Sequence, residues 1–412
     1  MKYIMPVLML LTLSFGQTPL SDAQIIRAIL DSNGRTDVPV DSVAIFIGSR
    51  AVRLNFSDIT INRLLPEIGK MDELKEIIIE NSMIETLPDE IGDLHNLKTI
   101  WFMRTKLRVL PQTIGGCTNL SRLCLYEDSI KTLPASLSEC KKFTELFYML
   151  KNANSLPPVI TQCTSLVYIN LSGNNLKSLP SDFKNLQQLR IVGIQVNKFD
   201  TLPKVLAECK LLFGIYADSN NISFFPPEIG AMDSLQQINL SRNNLTTFPP
   251  ALCYDTNLTY VDVSRNKLTE IPDRVFGLKK CNAFNVENNR LCNVSQEMSD
   301  WLSTRSYQWQ TNQVCESGVT IHPACRHKSD VFALSVIKNG PLFSVSYTLP
   351  TARNVQIALY TPHGRLALRL ASGQKSNGTH FLSFATQGLG SGVYVVRMQA
   401  GEVTIGKSVA VY

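Results

Sequence analysis

Apolar residues return along this chain in a fixed phase of 23 residues. In one unit Leu166, Ile169, Leu171, Leu176, Leu179, Phe183 and Leu186 stand apart with polar residues between them, and Asn174 and Pro180 mark two further places. The first position recurs at Ala51, Leu74, Leu97, Leu120, Phe143, Leu166, Leu189, Leu212, Leu235, Leu258 and Cys281, which makes eleven units. The fourteenth position, from Leu64 to Val294, is apolar in every unit, and a proline follows it directly in nine of them, Pro88 to Pro272. No insertion breaks the phase. A single unit cannot bury its own apolar face, so units must stack into one continuous core.

Within each unit the alternation over positions 3 to 7 predicts a short strand. Residues 4 and 6 point inward, and residues 3, 5 and 7 point outward. Asn at position 9 (Asn174, Asn197, Asn220, Asn243, Asn266, Asn289) suits the turn off that strand, because its side chain bonds neighbouring backbone. Ser82, Thr105, Asp128 and Lys151 stand there in earlier units, so the first half should be less regular. Proline at position 15 ends any strand. A stack needs caps at its ends. Ser21 to Gln24 reads as a capping box opening a helix with Ile25, Ile26, Ile29 and Leu30 on one face, ended by Asn33-Gly34. Ser42–Ile47 and Ala51–Phe56 read as strands around Gly48-Ser49, and Glu297–Leu302 as a short closing helix carrying Trp301.

These residues resemble the leucine-rich-repeat family in its short class, as in Leu87-Pro88-Asp89-Glu90-Ile91-Gly92-Asp93-Leu94. The resemblance covers roughly 51 to 296. It implies an α/β leucine-rich-repeat solenoid with a parallel sheet on its concave face and an irregular or 3-10 convex side. Residues 17–50 then form the N-terminal cap and 297–330 the C-terminal cap. The run Leu291-Cys292, Trp301-Leu302, Trp309 and Cys315 resembles the C-terminal cap of exported bacterial repeat proteins, which implies a Cys292–Cys315 disulfide.

From about Val331 the pattern changes to period two, with runs at 344–347, 355–359, 366–370, 380–383, 393–397 and from 403 onward. Turn residues separate them, which predicts a small all-β, immunoglobulin-like sandwich over 331–412. Gly392-Val393-Tyr394 and the ending around Lys407 and Val409 resemble the type A sorting domain of the bacterial type IX secretion system. That resemblance implies passage across an outer membrane, and release or anchoring at the surface of a Gram-negative bacterium. The N-terminus agrees: Lys2, an apolar stretch around Val7–Leu13 and Ser14-Phe15-Gly16 read as a cleavable signal peptide, residues 1–16.

Composition narrows the function. The net charge of +6 is spread without a dense basic run, which argues against nucleic acid. The N-terminal apolar stretch is too short for the ~20 residues a membrane span needs, and no later segment reaches that length. Of ten cysteines, Cys117, Cys140, Cys163 and Cys209 fall at position 21 in place of leucine and read as core residues. Cys281 and Cys325 are open between pairing and remaining free. Cys315, His322, Cys325 and His327 lack a common zinc spacing, so no metal or other cofactor is expected. Only five histidines exist, and no nucleophile–base, paired-carboxylate or phosphate-loop pattern accompanies them, so no enzyme is expected.

Binding is the remaining expectation. Most units place polar residues on the outward strand positions, but the third to sixth place Trp101, Met103, Arg104, Arg122, Tyr126, Phe147, Met149 and Tyr168. At the interstrand spacing of ~4.8 Å these predict one contiguous patch for a protein or polysaccharide. The alternative is a cell-envelope spacer with no selective ligand.

Overall fold

The computed structural model describes residues 20–57, 59–306 and 308–315, and in the tail 333–339, 342–349, 351–361, 365–376, 378–385, 389, 392–401 and 403–411. Residues 1–16, read above as a signal peptide, and Tyr307, His322, Cys325 and His327 lie outside them. The chain divides into two compact units, 1–322 and 323–412.

In the first unit a twelve-stranded sheet runs in sequence order from Ala44–Ile47 to Ala283–Asn285. Apart from the opening antiparallel hairpin its strands are parallel, and each residue pairs with the one 23 further on, as in Thr99↔Arg122, Arg122↔Glu145 and Glu145↔Tyr168. The repeat period is therefore the register of the sheet. Opposite the repeat strands lie ten five-residue 3-10 turns among the described residues, such as Asp89–Asp93 or Ser181–Asn185, and in all but the first the position-15 proline stands just before the turn. The fixed φ of proline suits the residue that opens a turn. Between sheet and turns the inward positions form one apolar column with almost no exposed surface.

Position 9 is bonded in the same way from the seventh unit on. Asn220 donates from Nδ2 to the carbonyls of Ile194 at 2.9 Å and Ala217 at 3.1 Å, and its Oδ1 accepts from the Phe199 amide at 3.1 Å. Each such asparagine thus ties two position-6 carbonyls and an amide of the preceding unit. The fifth unit departs from this. Lys151 is exposed, and the positive-φ residue found at position 8 elsewhere moves one place on, to Lys151 itself, φ 68°. Leu150 turns inward, and its amide is accepted by Asn174 Oδ1 at 3.1 Å.

Both caps bury the column's ends. Ser21 and Gln24 close the reciprocal capping box of helix Asp22–Ser32, whose Ile25, Ile26, Ile29 and Leu30 are fully buried. Buried Asp22 accepts from the Ala51 amide at 2.7 Å and Arg50 Nε at 3.1 Å, tying the helix to the first repeat strand. The strand expected over 42–47 is shorter: Val40–Val43 is one helical turn after Pro39, and only Ala44–Ile47 is extended. At the far end, helix Gln296–Ser303 sets Trp301 against Phe276 and Phe284, with ring centroids 5.9 and 5.0 Å away. Gln313 replaces the next asparagine. Its Nε2 donates to the Val286 carbonyl at 3.0 Å, and its Oε1 accepts from the Leu291 amide at 3.0 Å. Cys292 and Cys315 are joined as the cap resemblance implied, with Cα atoms 5.8 Å apart. Replacing both by serine is expected to cost about 3 kcal/mol by the loop-entropy estimate, seen as an earlier urea midpoint that reducing the wild type reproduces.

Rung spacing also fixes certain glycines. A Cβ on Gly92 would run into the Thr113 carbonyl of the next turn, whereas a Cβ on Gly277 meets nothing within 4 Å. Gly92→Ala should therefore destabilise by about 2 kcal/mol, and Gly277→Ala should be neutral or stabilising by up to ~1 kcal/mol. Thermal unfolding of the two variants side by side checks the contrast.

Cys117, Cys140, Cys163 and Cys209 are buried in the column as expected, and burial pushes their thiols up to about 12, 11, 12 and 11. Cys281 is buried and free.

The second unit has a three-stranded antiparallel sheet (333–339, 342–349, 378–385) and a four-stranded one (366–375, 353–360, 392–400, 403–411). Phe343, Val345, Tyr347, Ile357, Leu359, Val396 and Met398 fill the core between them. The sequence pattern showed six of these strands. Ala333–Asn339 went unseen because Lys338 and Asn339 interrupt its apolar run.

Candidate functional site

The concave residues of the third to sixth units converge in register. Strands Thr99–Met103, Arg122–Tyr126, Glu145–Met149 and Tyr168–Asn170 pair Trp101 with Cys124 and Phe147, and Met103 with Tyr126 and Met149. Trp101 and Phe147 stand two rungs apart, yet their ring centroids are 6.3 Å apart. They reach each other over Cys124, an outward position left only 3 % exposed. Phe147 continues to Tyr168 at 5.1 Å. Small Cys124 thus lets its large neighbours close into one apolar ribbon, flanked by the second row Met103, Tyr126 and Met149. All six of these large side chains are half-buried. The Trp101 indole N–H is covered and has no acceptor among the described residues.

The charges around the ribbon are internally matched. Arg122 does not stand free, as its place in the patch suggested. It grips Glu145 with two hydrogen bonds, Nε to Oε2 at 2.8 Å and Nη2 to Oε1 at 3.1 Å. Arg53 pairs with Glu76 at 3.0 Å and Lys151 with Glu127 at 2.8 Å. The Lys151 bond holds the Glu127 carboxyl below its ordinary range, and the Glu127 bond raises the Tyr126 phenol. Arg104 is exposed at the margin in a left-handed conformation, φ 53°. Glu76, Glu127 and Glu145 thus each pair with a nearby cation.

Beyond Tyr168 the same face turns polar. Tyr216 hydrogen-bonds Gln237, and Asp262 accepts from Tyr260 at 3.1 Å, Ser264 at 2.7 Å and Asn285 at 3.2 Å. Burial raises the Asp218 and Glu287 carboxyls there. Tyr216 and Tyr260 went unnoticed in the sequence because each is the lone aromatic of its strand, although positions 5 and 3 would have placed both outward. Among the described residues no group of three or more His, Cys, Asp or Glu is arranged to hold a metal ion.

In the tail the residues expected to form a sorting signal lie on adjacent antiparallel strands. Gly392 pairs with Val411, Tyr394 with Val409 and Val396 with Lys407. Val409 is buried, Tyr394 half-buried and Lys407 exposed.

This architecture is a leucine-rich-repeat solenoid followed by a small antiparallel all-β unit. The family model described as Leucine Rich Repeat matches residues 165–186 and 234–254, two of the most regular units. Among solved structures the chain is similar to a leucine-rich-repeat protein of Leptospira interrogans, at 24% identity and a TM-score of 0.55, over 60% of this chain and 69% of that one. It is also similar to a chain in the octameric complex of Latrophilin 3, Unc5D and FLRT2 (LRR), at 18% identity and a TM-score of 0.52, over 63% of this chain and 83% of that one. At these identities the likeness is one of fold. No curated protein matches the sequence. Leucine-rich-repeat solenoids serve in general as non-catalytic recognition scaffolds, and no helix among the described residues is long and apolar enough to cross a membrane.

Proposed function

We propose that this chain is an exported, non-catalytic recognition protein that holds a protein ligand against the ribbon Trp101–Phe147–Tyr168 and Met103–Tyr126–Met149. The observation that carries the reading is the ribbon's continuity, with aromatic and thioether side chains gathered on an otherwise polar concave face. Trp and Tyr are the residues most enriched at interface hot spots, and methionine adapts to irregular partner surfaces. Matched charges at its edge favour a partner recognised by apolar contact rather than by charge. A polysaccharide is the less favoured ligand, since the rings of Trp101 and Phe147 are tilted by 37° and those of Phe147 and Tyr168 by 39° and so offer no flat platform.

Export is the second part of the proposal: residues 1–16 act as a signal peptide, and the tail, through Gly392, Val393, Tyr394, Lys407 and Val409, directs passage to the outer surface of a Gram-negative cell. The deciding experiment is a pull-down from surface proteins and glycans, using wild type and Trp101→Ala/Phe147→Ala. Selective loss by the variant supports the site. Equal recovery removes it and leaves the spacer reading.

A further inference from the structure

The ladder of position-9 side chains contains one acid. Asp128 is 4 % exposed, and its Oδ1 accepts from the Thr105 amide at 2.9 Å and from Thr105 Oγ1 at 2.6 Å. Its Oδ2 is buried and has no hydrogen-bond partner among the described residues. In six later units the corresponding atom is an amide nitrogen donating to the position-6 carbonyls of its own and the preceding unit, as Asn197 does to Ile194 at 3.1 Å and Leu171 at 3.0 Å. By that register Asp128 Oδ2 belongs with the carbonyls of Leu125 and Phe102. Those are acceptors, and a carboxylate oxygen has no hydrogen to give them.

Among the described residues no cation pairs with Asp128. On its own strand stand the Cys124 thiol and Glu127, and Glu127 is occupied by Lys151 of the next unit. Arg104 of the preceding unit is exposed and has no ion pair with Asp128. The next unit offers no brace from above either, since Lys151 has left the ladder position.

We propose that Asp128 takes up a proton in the folded chain and then closes the ladder as an asparagine does, so that the rung beneath Tyr126 and Cys124 is tight in mildly acidic medium and loosened at neutral pH. Burial supports this by pushing the carboxyl up from 3.8 to about 6, outweighing the opposing hydrogen bonds of Thr105 and the Tyr126 amide, with Glu127 adding to the rise. The folded chain then binds this proton more tightly than the unfolded chain does. Stability from this site is therefore complete below about 4, and is lost as pH rises to about 6.

The test is a carboxyl-carbon NMR titration of Asp128 in the full chain, together with hydrogen exchange of the Thr105 and Leu107 amides at pH 4.5 and 7.5, corrected for intrinsic rates. A carboxyl titrating about two units above an ordinary Asp, with roughly 25-fold less protection of those amides at pH 7.5 than at pH 4.5, is the expected result. Asp128→Asn should remove the pH dependence and leave the amides protected at both values. An ordinary titration midpoint, or the same pH response in wild type and Asp128→Asn, overturns the proposal. The NMR titration decides the matter on the wild type alone, should the variant fold poorly.

Discussion

Asn220→Ala is expected to lower the unfolding free energy by about 2–4 kcal/mol, among the largest losses from a single substitution in this chain. The side chain is buried and central in the ladder, and alanine would strand the Phe199 amide and take one of two ladder donors from each of the carbonyls of Ile194 and Ala217, which keep Asn197 and Asn243. An unsatisfied buried polar group costs about 1–3 kcal/mol, and here water has little route in. Truncation also leaves a void between stacked units, which adds a cavity cost. Urea unfolding followed by circular dichroism reads the loss. Asn220→Asp should do comparable damage at neutral pH, because it keeps the acceptor and removes the donor. A loss below about 1 kcal/mol in Asn220→Ala would mean that the ladder is ornamental.

The same ladder shows why so much of the fold was legible in the sequence. Every residue at positions 1, 4, 6 and 14 answers to one neighbour 23 residues away, so local pattern and tertiary contact carry the same information. Where that identity fails, legibility fails too. Gln313 completes the last rung from one place beyond the register, with a side chain one carbon longer, and nothing local announces it. Lys151 looks like a poor ladder residue, but the compensating shift of Leu150 into the core is a backbone adjustment that only the three-dimensional stack reveals. The turn Val40–Val43 was hidden because Val40, Val43 and their neighbours have the β-branched composition of a strand, and Pro39 decides otherwise.

The candidate site was legible in outline and misjudged in its charges. Alternation alone shows that Trp101, Phe147 and Tyr168 face outward. It does not show that Arg122 meets Glu145, because that bond depends on two long side chains leaning across the strand gap. Nor does it show the role of Cys124. Sequence marks that residue as an unremarkable outward position, while packing makes it the gap over which the rings on either side join.

The largest functional effect is therefore expected from the rings and not from the arginine. Trp101→Ala/Phe147→Ala should weaken ligand binding by about 2–4 kcal/mol, roughly 30- to 1000-fold in Kd, mostly through faster dissociation. Both rings are half-buried in the free chain and lean on each other, so the double variant removes the centre of the apolar ribbon and uncovers Cys124. Arg122→Met is the informative contrast. It breaks the pair with Glu145 yet keeps an apolar stem against the sheet, and a surface pair of this exposure contributes little, about 0–1 kcal/mol. Surface plasmon resonance on the captured ligand, with circular dichroism to show that both variants keep their fold, separates the two outcomes. Should Arg122→Met lose affinity as strongly as the double ring variant, recognition would rest on charge, and the ribbon would be packing that lines the inside of the curve.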